Sequence, residues 1–285
     1  MKVMGINRVS PTWQRMCLSG LLAGVAAFGV SACQKSTDSG ATSAANAPAA
    51  SASGSAADNA NWPQIRIATE SSYAPFSYKD AQGNVVGFEI DLAHELCEQA
   101  KIRCEIISQD WDGLIPGLQA QKYSAIMASM SDTPTRREVV TFSEPYFINN
   151  LVILGKKGVD KGADDLAGKT IAVERATTAA DYIAAHFPNA VVKSYDNQEN
   201  AYLDLASGRA DLMLSDSAPA LHWLNTDRGQ GFEVKGEPIK IDDKIAIAMR
   251  QNDPLVGQFN DALAALKANG KYDKLYHQYF ADIHQ

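Results

Sequence analysis

The chain has 285 residues, 46% of them hydrophobic and 8% aromatic, with 26 lysines and arginines against 33 aspartates and glutamates for a net charge of −7. That length can bury one large core or two lobes, and the acidic balance excludes nucleic acid as a natural partner. G-x-S-x-G, H-E-x-x-H and G-x-G-x-x-G are all absent, which removes the commonest hydrolase, metalloprotease and dinucleotide-binding signatures.

The first fifteen residues carry Lys2, Arg8 and Arg15 and no acid, followed by the apolar run "MCLSGLLAGVAAFGVSA" from Met16 to Ala32. The run is short and rich in Gly and Ala, so it reads as a secretion signal over 1–32 and not as a membrane span. Its ending, Val30-Ser31-Ala32-Cys33, resembles a bacterial lipobox. That resemblance implies that Cys33 becomes the lipidated first residue of the mature chain, which would be anchored to a membrane without spanning it. Gln34 in second place lacks the aspartate associated with inner-membrane retention in many Gram-negative bacteria, leaving the cell membrane or the outer membrane as the anchoring surface. Removing the signal takes away three cations and no anion, leaving 23 bases against 33 acids, or −10.

Residues 34–60 are almost entirely Ala, Ser, Gly, Asn and Thr and hold nothing large enough to bury, so together with Cys33 they form a flexible tether over 33–60. Stretched, such a tether reaches about 90 Å and more typically spans about 30 Å, enough to hold a folded body clear of a lipid surface.

Beyond the tether, short apolar strands alternate with helical periods: "IRIAT", "EIDLAHELCEQA", "CEII", "GLIPGLQAQ" and "SAIMAS". Such alternation predicts an α/β fold. Cys97 and Cys104 lie at a predicted helix end and strand start, where the chain can double back within seven residues. An exported chain favours a disulfide there, and no nearby histidine completes a zinc set. Next, "SMSDTPTRREVV" places Thr133 as a cap and Pro134 at the first position of a helix. Arg136 therefore falls in a first turn, where partial positive charge disfavours a guanidinium unless an anion lies between them. Taken alone, Arg136 could equally form a surface salt bridge with Glu138 or Glu144.

A second series, "TIAV", "AADYIAAHF", "AVVKS", "ENAYLDLAS" and "DLMLS", repeats the pattern, and "LQAQKYSAIMAS" is echoed by "LASGRADLMLSD". Two lobes are the simplest account. "NNLVILGKK" and "DDKIAIAMR" bracket the second series as two crossings between lobes, giving 61–149 plus 247–285 as one lobe and 150–246 as the other. Towards the end, Asp253-Pro254 caps a helix with an apolar stripe of Leu255, Phe259, Leu263 and Leu266, stopped at Asn269-Gly270.

Ligands of open α/β sheets sit at the carboxyl ends of the strands. Those ends carry Glu70, Tyr73, Trp111, Ser129, Ser131, Glu174, Thr178 and Asp216. Arg136 offers a fork that matches a carboxylate, Thr178 is expected to cap a second helix, and Asp216 could hold an ammonium. An anion site and a cation site on facing lobes describe a free amino acid. Asp216 could alternatively cap the helix ahead of Pro219, and Trp111 and Tyr73 could simply belong to a core.

"IRIATESSYAPFSYKDAQGNVVGFEIDLAHELC" and "SMSDTPTRREVVTFSEPYF" resemble the family 3 extracellular solute-binding proteins, the polar amino-acid receptors of bacterial ABC importers. The likeness runs from about Ile65 to Phe280 and includes the Cys97/Cys104 spacing of members that bind histidine or lysine, arginine and ornithine. It implies a type II periplasmic-binding-protein fold, two α/β lobes joined by a two-strand hinge and closing on the ligand, with no catalysis and no cofactor or metal. It further implies that Arg136 and the N–H groups of Ser131 and Thr178 bind an α-carboxylate. Asp216, the Ser131 hydroxyl and the Ser129 carbonyl would bind the α-ammonium, and Tyr73 and Trp111 would wall the side chain. Ala128 and Ala179 replace polar residues of some relatives.

Glu70 and Glu174 face the implied far end of the ligand, where glutamine-binding relatives have a lysine at the position of Glu174. Buried unpaired carboxylates are costly and a cation satisfies them, so a basic L-amino acid is the expected partner, together with an inner-membrane ABC permease. A periplasmic monomer is expected. Two alternatives use the same fold. One is a dehydratase-like enzyme, disfavoured because "SDSAPA" has Pro219 and no acid where such relatives carry a catalytic one. The other is an amino-acid sensor or adhesin.

Overall fold

The computed structural model describes residues 61–159, 166, 168–281 and 283. The secretion signal, Cys33 and the tether lie outside the described residues.

The first lobe begins with β1 (Gln64–Thr69), whose apolar inner half is fully covered, and a small antiparallel sheet of β2 (Ser72–Tyr73), β3 (Ser77–Lys79) and β4 (Val85–Val86). Helix α1 (Phe88–Ala100) follows Gly87, which sits at φ 132°; a Cβ there would lie 2.3 Å from the Phe76 carbonyl oxygen, so only glycine lets the two segments approach. Phe88, Leu92 and Leu96 then fall on one buried face at helical spacing. β5 (Arg103–Ser108), α2 (Leu114–Gln119) and β6 (Ala125–Ile126) complete a β–α–β–α–β unit, and Cys97 is disulfide-bonded to Cys104 across the turn between α1 and β5.

After α3 (Pro134–Arg137) and β7 (Thr141–Phe142), strand β8 (Phe147–Lys156) enters the second lobe. There β9 (Thr170–Glu174), α4 (Thr178–His186), β10 (Val191–Tyr195), α5 (Gln198–Ala206) and β11 (Leu212–Asp216) repeat the same unit. The sheet orders are β5-β1-β6 in one lobe and β10-β9-β11 in the other, so each lobe sets its first strand between its second and third. The echo between residues 118–129 and 205–216 is therefore a repeat of topology as well as of residues. α6 (Ser217–Leu224) and β12 (Phe232–Val234) follow, and β13 (Ile239–Ile245) returns. β14 (Ala248–Met249), α7 (Leu255–Ala268) and α8 (Lys271–Phe280) close the first lobe. Phe259, Leu263 and Leu266 of α7 pack with Phe88 and Leu92 in its core, while Leu255 is only partly covered.

Both main sheets are mixed, each with a parallel β–α–β–α–β part flanked by antiparallel strands, and each is covered on both faces, as the parallel part requires. One face of the first carries Ile67, Phe88 and Phe259 and the other Leu114, Leu118 and Ile126; in the second, Tyr202 and Trp223 stack on one side and Ile171, Ile183 and Leu214 pack on the other.

β8 and β13 form the antiparallel ladder that joins the lobes. Ile245 opposite Phe147 lies in the first core and Ile239 opposite Leu151 in the second. Between them the register shifts, with Asp242 at φ 46° and Asp243 opposite Asn149. The irregularity is where a ladder of this kind bends most easily.

Candidate functional site

Glu70, Tyr73, Trp111, Ser129, Ser131, Arg136, Glu174, Thr178 and Asp216 all line one cavity of about 20 Å³, with Ala128 and Thr177. They arrive from separate elements. Glu70 follows β1, Tyr73 ends β2, Trp111 opens a 3-10 turn after β5, and Ser129 and Ser131 follow β6. Glu174 and Asp216 are the last residues of β9 and β11. Strand ends meet here because the two units present their carboxyl ends to one another.

Arg136 stands in the first turn of α3, whose cap Thr133 accepts the Arg136 N–H at 3.2 Å. Its guanidinium donates to the Ser131 carbonyl at 2.8 Å in its own lobe and to the Ala176 carbonyl at 3.0 Å across the cleft, and lies 5.2 Å from the centre of the Trp111 ring. Its partners are thus neutral carbonyls and an aromatic face, not Glu138 or Glu144. Burial pulls its pKa below the usual guanidinium range, against the charges of Asp243, Asp181 and Asp216.

Asp216 occupies the position before α6, but its side chain makes no capping bond there. It accepts the Tyr73 hydroxyl across the cleft at 2.5 Å instead. Burial, with the nearby Asp243 charge, pushes its carboxyl up to about 6. Thr178 is not the helix cap that the sequence suggests. Thr177 is, with its hydroxyl accepting the Ala180 N–H at 3.2 Å, and Thr178 is the first residue of α4. In a Thr-Thr pair either residue can cap. The shift of one residue places the Thr178 N–H among those left free by the helix geometry and its hydroxyl 3.5 Å from that of Ser131.

Glu70 and Glu174 are 5% and 3% exposed, so both carboxyls are out of water. Glu70 accepts the Ser72 hydroxyl at 2.5 Å, whereas Glu174 Oε1 is buried without a hydrogen-bond partner. Burial pushes Glu70 up to about 7 and, with the neighbouring Glu70 and Asp216 charges, pushes Glu174 well above the carboxylate range. A carboxyl held above its unfolded value stabilises the fold fully below pH 4.5 and loses that contribution as pH rises through about 7. Ligand-free protein should therefore lose stability between pH 5 and pH 8 through Glu70, by roughly 3 kcal/mol at most. Denaturant midpoints of wild type and Glu70→Gln at the two pH values measure this, and the variant should show the shallower fall.

Two supporting residues carry no signal of their role in the sequence. Glu89, wholly buried in the first turn of α1, accepts the Ser129 N–H at 2.6 Å, the Ser129 hydroxyl at 3.0 Å and the Tyr146 hydroxyl. It thereby holds Ser129 at φ 48°, an uncommon conformation for a residue with a side chain, and so aims its carbonyl. Asp243 of the hinge ladder accepts the Ser131 hydroxyl at 3.1 Å and the Asn149 amide at 2.9 Å. The floor of the site is thus tied to the hinge. An ion pair also crosses the mouth of the cleft, the Arg175 Nε donating to Asp112 at 2.6 Å.

The arrangement can hold a small zwitterion between facing lobes: a half-buried guanidinium and a helix start for an anion, a carboxylate and oriented carbonyls for a cation, and two more carboxyls beyond. The family described as bacterial extracellular solute-binding proteins, family 3, matches residues 65–282. The chain is 38% identical over 220 residues to ABC transporter arginine-binding protein 1 of Escherichia coli strain K12, covering 76% of this chain and 90% of that one. It is 35% identical over 226 residues to the lysine/arginine/ornithine-binding periplasmic protein of the same organism, covering 76% and 87%. Among solved structures, an ancestral arginine-binding protein bound to arginine matches with a TM-score of 0.73 and 34% identity, over 76% of this chain and 98% of that chain.

Proposed function

This chain belongs to the bacterial extracellular solute-binding proteins, family 3, and from that premise we propose that it captures a basic L-amino acid between its lobes and delivers it to an ABC importer. In this reading the receptor is held at the membrane by lipid on Cys33, with residues 33–60 as its tether. Lobes of 61–149 plus 247–285 and of 150–246 move about the β8–β13 ladder, and no bond of the ligand is made or broken. The relatives named for arginine and for lysine, arginine and ornithine support the ligand class.

The observation that carries the reading is the pair of buried carboxyls, Glu70 and Glu174, in a cavity whose guanidinium, Arg136, is bonded to two neutral carbonyls and to neither carboxyl. The α-carboxylate would replace the two carbonyls now contacting Arg136, reached also by the Thr178 N–H. The α-ammonium would lie between Asp216 and the Ser129 carbonyl, beside the Ser131 hydroxyl. Tyr73 and Trp111 would sandwich the aliphatic part, and the side-chain cation would bring Glu70 and Glu174 the counter-charge that lets both ionise. Trp111 adds cation–π attraction.

A thermal-shift panel of the twenty amino acids tests this. A ligand present at a thousand times its Kd stabilises by about 4 kcal/mol, on the order of 10 °C for a body of this size. Arginine, lysine and ornithine should give shifts of that order and the neutral amino acids much less. A shift largest with glutamate or leucine would contradict the reading.

A further inference from the structure

A second chamber, of about 460 Å³, adjoins the first. Glu70 and Trp111 line both, whereas Arg136, Ser131, Thr178 and Asp216 line only the inner one. The two cavities therefore meet at Glu70, the side-chain end in the receptor reading, and along Trp111, whose ring also stands 5.2 Å from the Arg136 guanidinium. The side chain of an amino acid clamped at Arg136 and Asp216 is thus led to the Glu70–Trp111 boundary, and whatever extends past its terminal nitrogen enters the outer space.

The outer walls are polar and come from both lobes. Ser71, Ser108 and Gln109 face Arg175 and Asn197, and Lys79 stands beside them. The roof is the Arg175–Asp112 pair, whose side chains are 48% and 43% exposed. An ion pair so exposed is weak and opens at little cost. Such a lining offers hydroxyls and amides, and its acids Asp110, Asp112 and Asp196 outnumber the cations Lys79 and Arg175, so it suits a neutral hydrogen-bonding group better than an anion, while Glu70 at the threshold keeps its demand for a positive nitrogen.

We propose that the outer chamber is a further subsite, seating a short polar substituent on the side-chain nitrogen, so that N-substituted lysines and arginines that keep their charge are ligands alongside the free amino acids. The inference rests on the receptor reading above and extends the ligand class beyond it.

Calorimetric titration with L-lysine and with Nε-(2-hydroxyethyl)-L-lysine tests the subsite. The substituted ligand keeps a secondary ammonium for Glu70 and adds a neutral hydroxyl for the serine and amide groups of the outer lining. In wild type it should bind within about thirtyfold of lysine. In Ser108→Trp, which fills the chamber, it should weaken by at least about thirtyfold while lysine changes by less than about threefold. Ser71→Trp is the second block should the first variant not fold. A substituted ligand more than about thirtyfold weaker than lysine in wild type, or equal effects of the blocks on both ligands, would overturn the subsite and leave the receptor reading standing. Failure of lysine and arginine alike to bind wild type would overturn both.

Discussion

Arg136→Ala abolishes tight binding: the Kd for arginine or lysine rises by at least about a hundredfold, corresponding to about 3 kcal/mol or more. The reason is what the variant leaves behind. The ligand's α-carboxylate must still enter a space from which water is excluded, and without the guanidinium its charge meets only N–H groups. Losing one partner of an enclosed, charge-assisted pair costs far more than the pair contributes net, because the other charge stays desolvated. Stability of the ligand-free fold should change little by comparison, since the present partners of Arg136 are two carbonyls and a ring face. Isothermal titration of the variant, with its ligand-free melting temperature as the control, separates loss of binding from loss of structure. Unchanged affinity would remove Arg136 from the anion site.

Glu174→Lys reverses the ligand class. The introduced ammonium would lie beside Glu70 and supply from within the chain the charge that a basic ligand brings. Arginine and lysine then face a cation where they met a carboxyl, and like charges at short range in a poorly hydrated site cost several kcal/mol, on the order of a hundredfold or more in Kd. Neutral glutamine should gain relative to both. Burying that ammonium without the Glu70 carboxylate would be expensive, so Glu70→Gln added to Glu174→Lys should destabilise the fold further than either change alone. Competition binding across arginine, lysine and glutamine measures the reversal, and an unaltered ranking of the three would contradict the assignment of Glu174 to the side-chain end.

These residues are legible in the sequence for a shared topological reason. Glu174 and Asp216 end strands, and Arg136 follows a threonine-proline helix start, so a local pattern plus the rule for open sheets brings them to one cleft. The α/β class follows from the alternation of strand and helix periods in the same way. The strand that "SAIMAS" suggests is longer than the two-residue β6 because the chain leaves the sheet early to turn Ser129 over at φ 48°. That turn is held by Glu89, forty positions away, which in sequence looks like an ordinary acid in the first turn of a helix. Asp243 is equally hidden. Its partners Asn149 and Ser131 are 94 and 112 positions distant; the pairing of β8 with β13 sets Asn149 beside it, and an antiparallel bridge between Ser131 and Ile245 brings in the other. The cap of α4 falls one residue early, at Thr177, since Thr-Thr fits either register until the helix is built.

The coupling of Asp243 to Ser131 gives the hinge a direct contact with the lining of the interlobe cavity. In the closed arrangement Tyr73–Asp216, Arg136–Ala176 and Arg175–Asp112 all bridge the lobes. In the proposed reading, an amino acid bound at Arg136 and Asp216 would add contacts to both lobes at once, so its affinity would be greatest for the closed state and it would shift the population there.

Arginine and citrulline differ at one terminal group, a guanidinium against a neutral urea of nearly the same shape. Titrating both into ligand-free protein at pH 8, where Glu70 is above its titration range of about 7, isolates the contribution of side-chain charge. The account predicts arginine tighter than citrulline by at least about a hundredfold; equal affinity would contradict it.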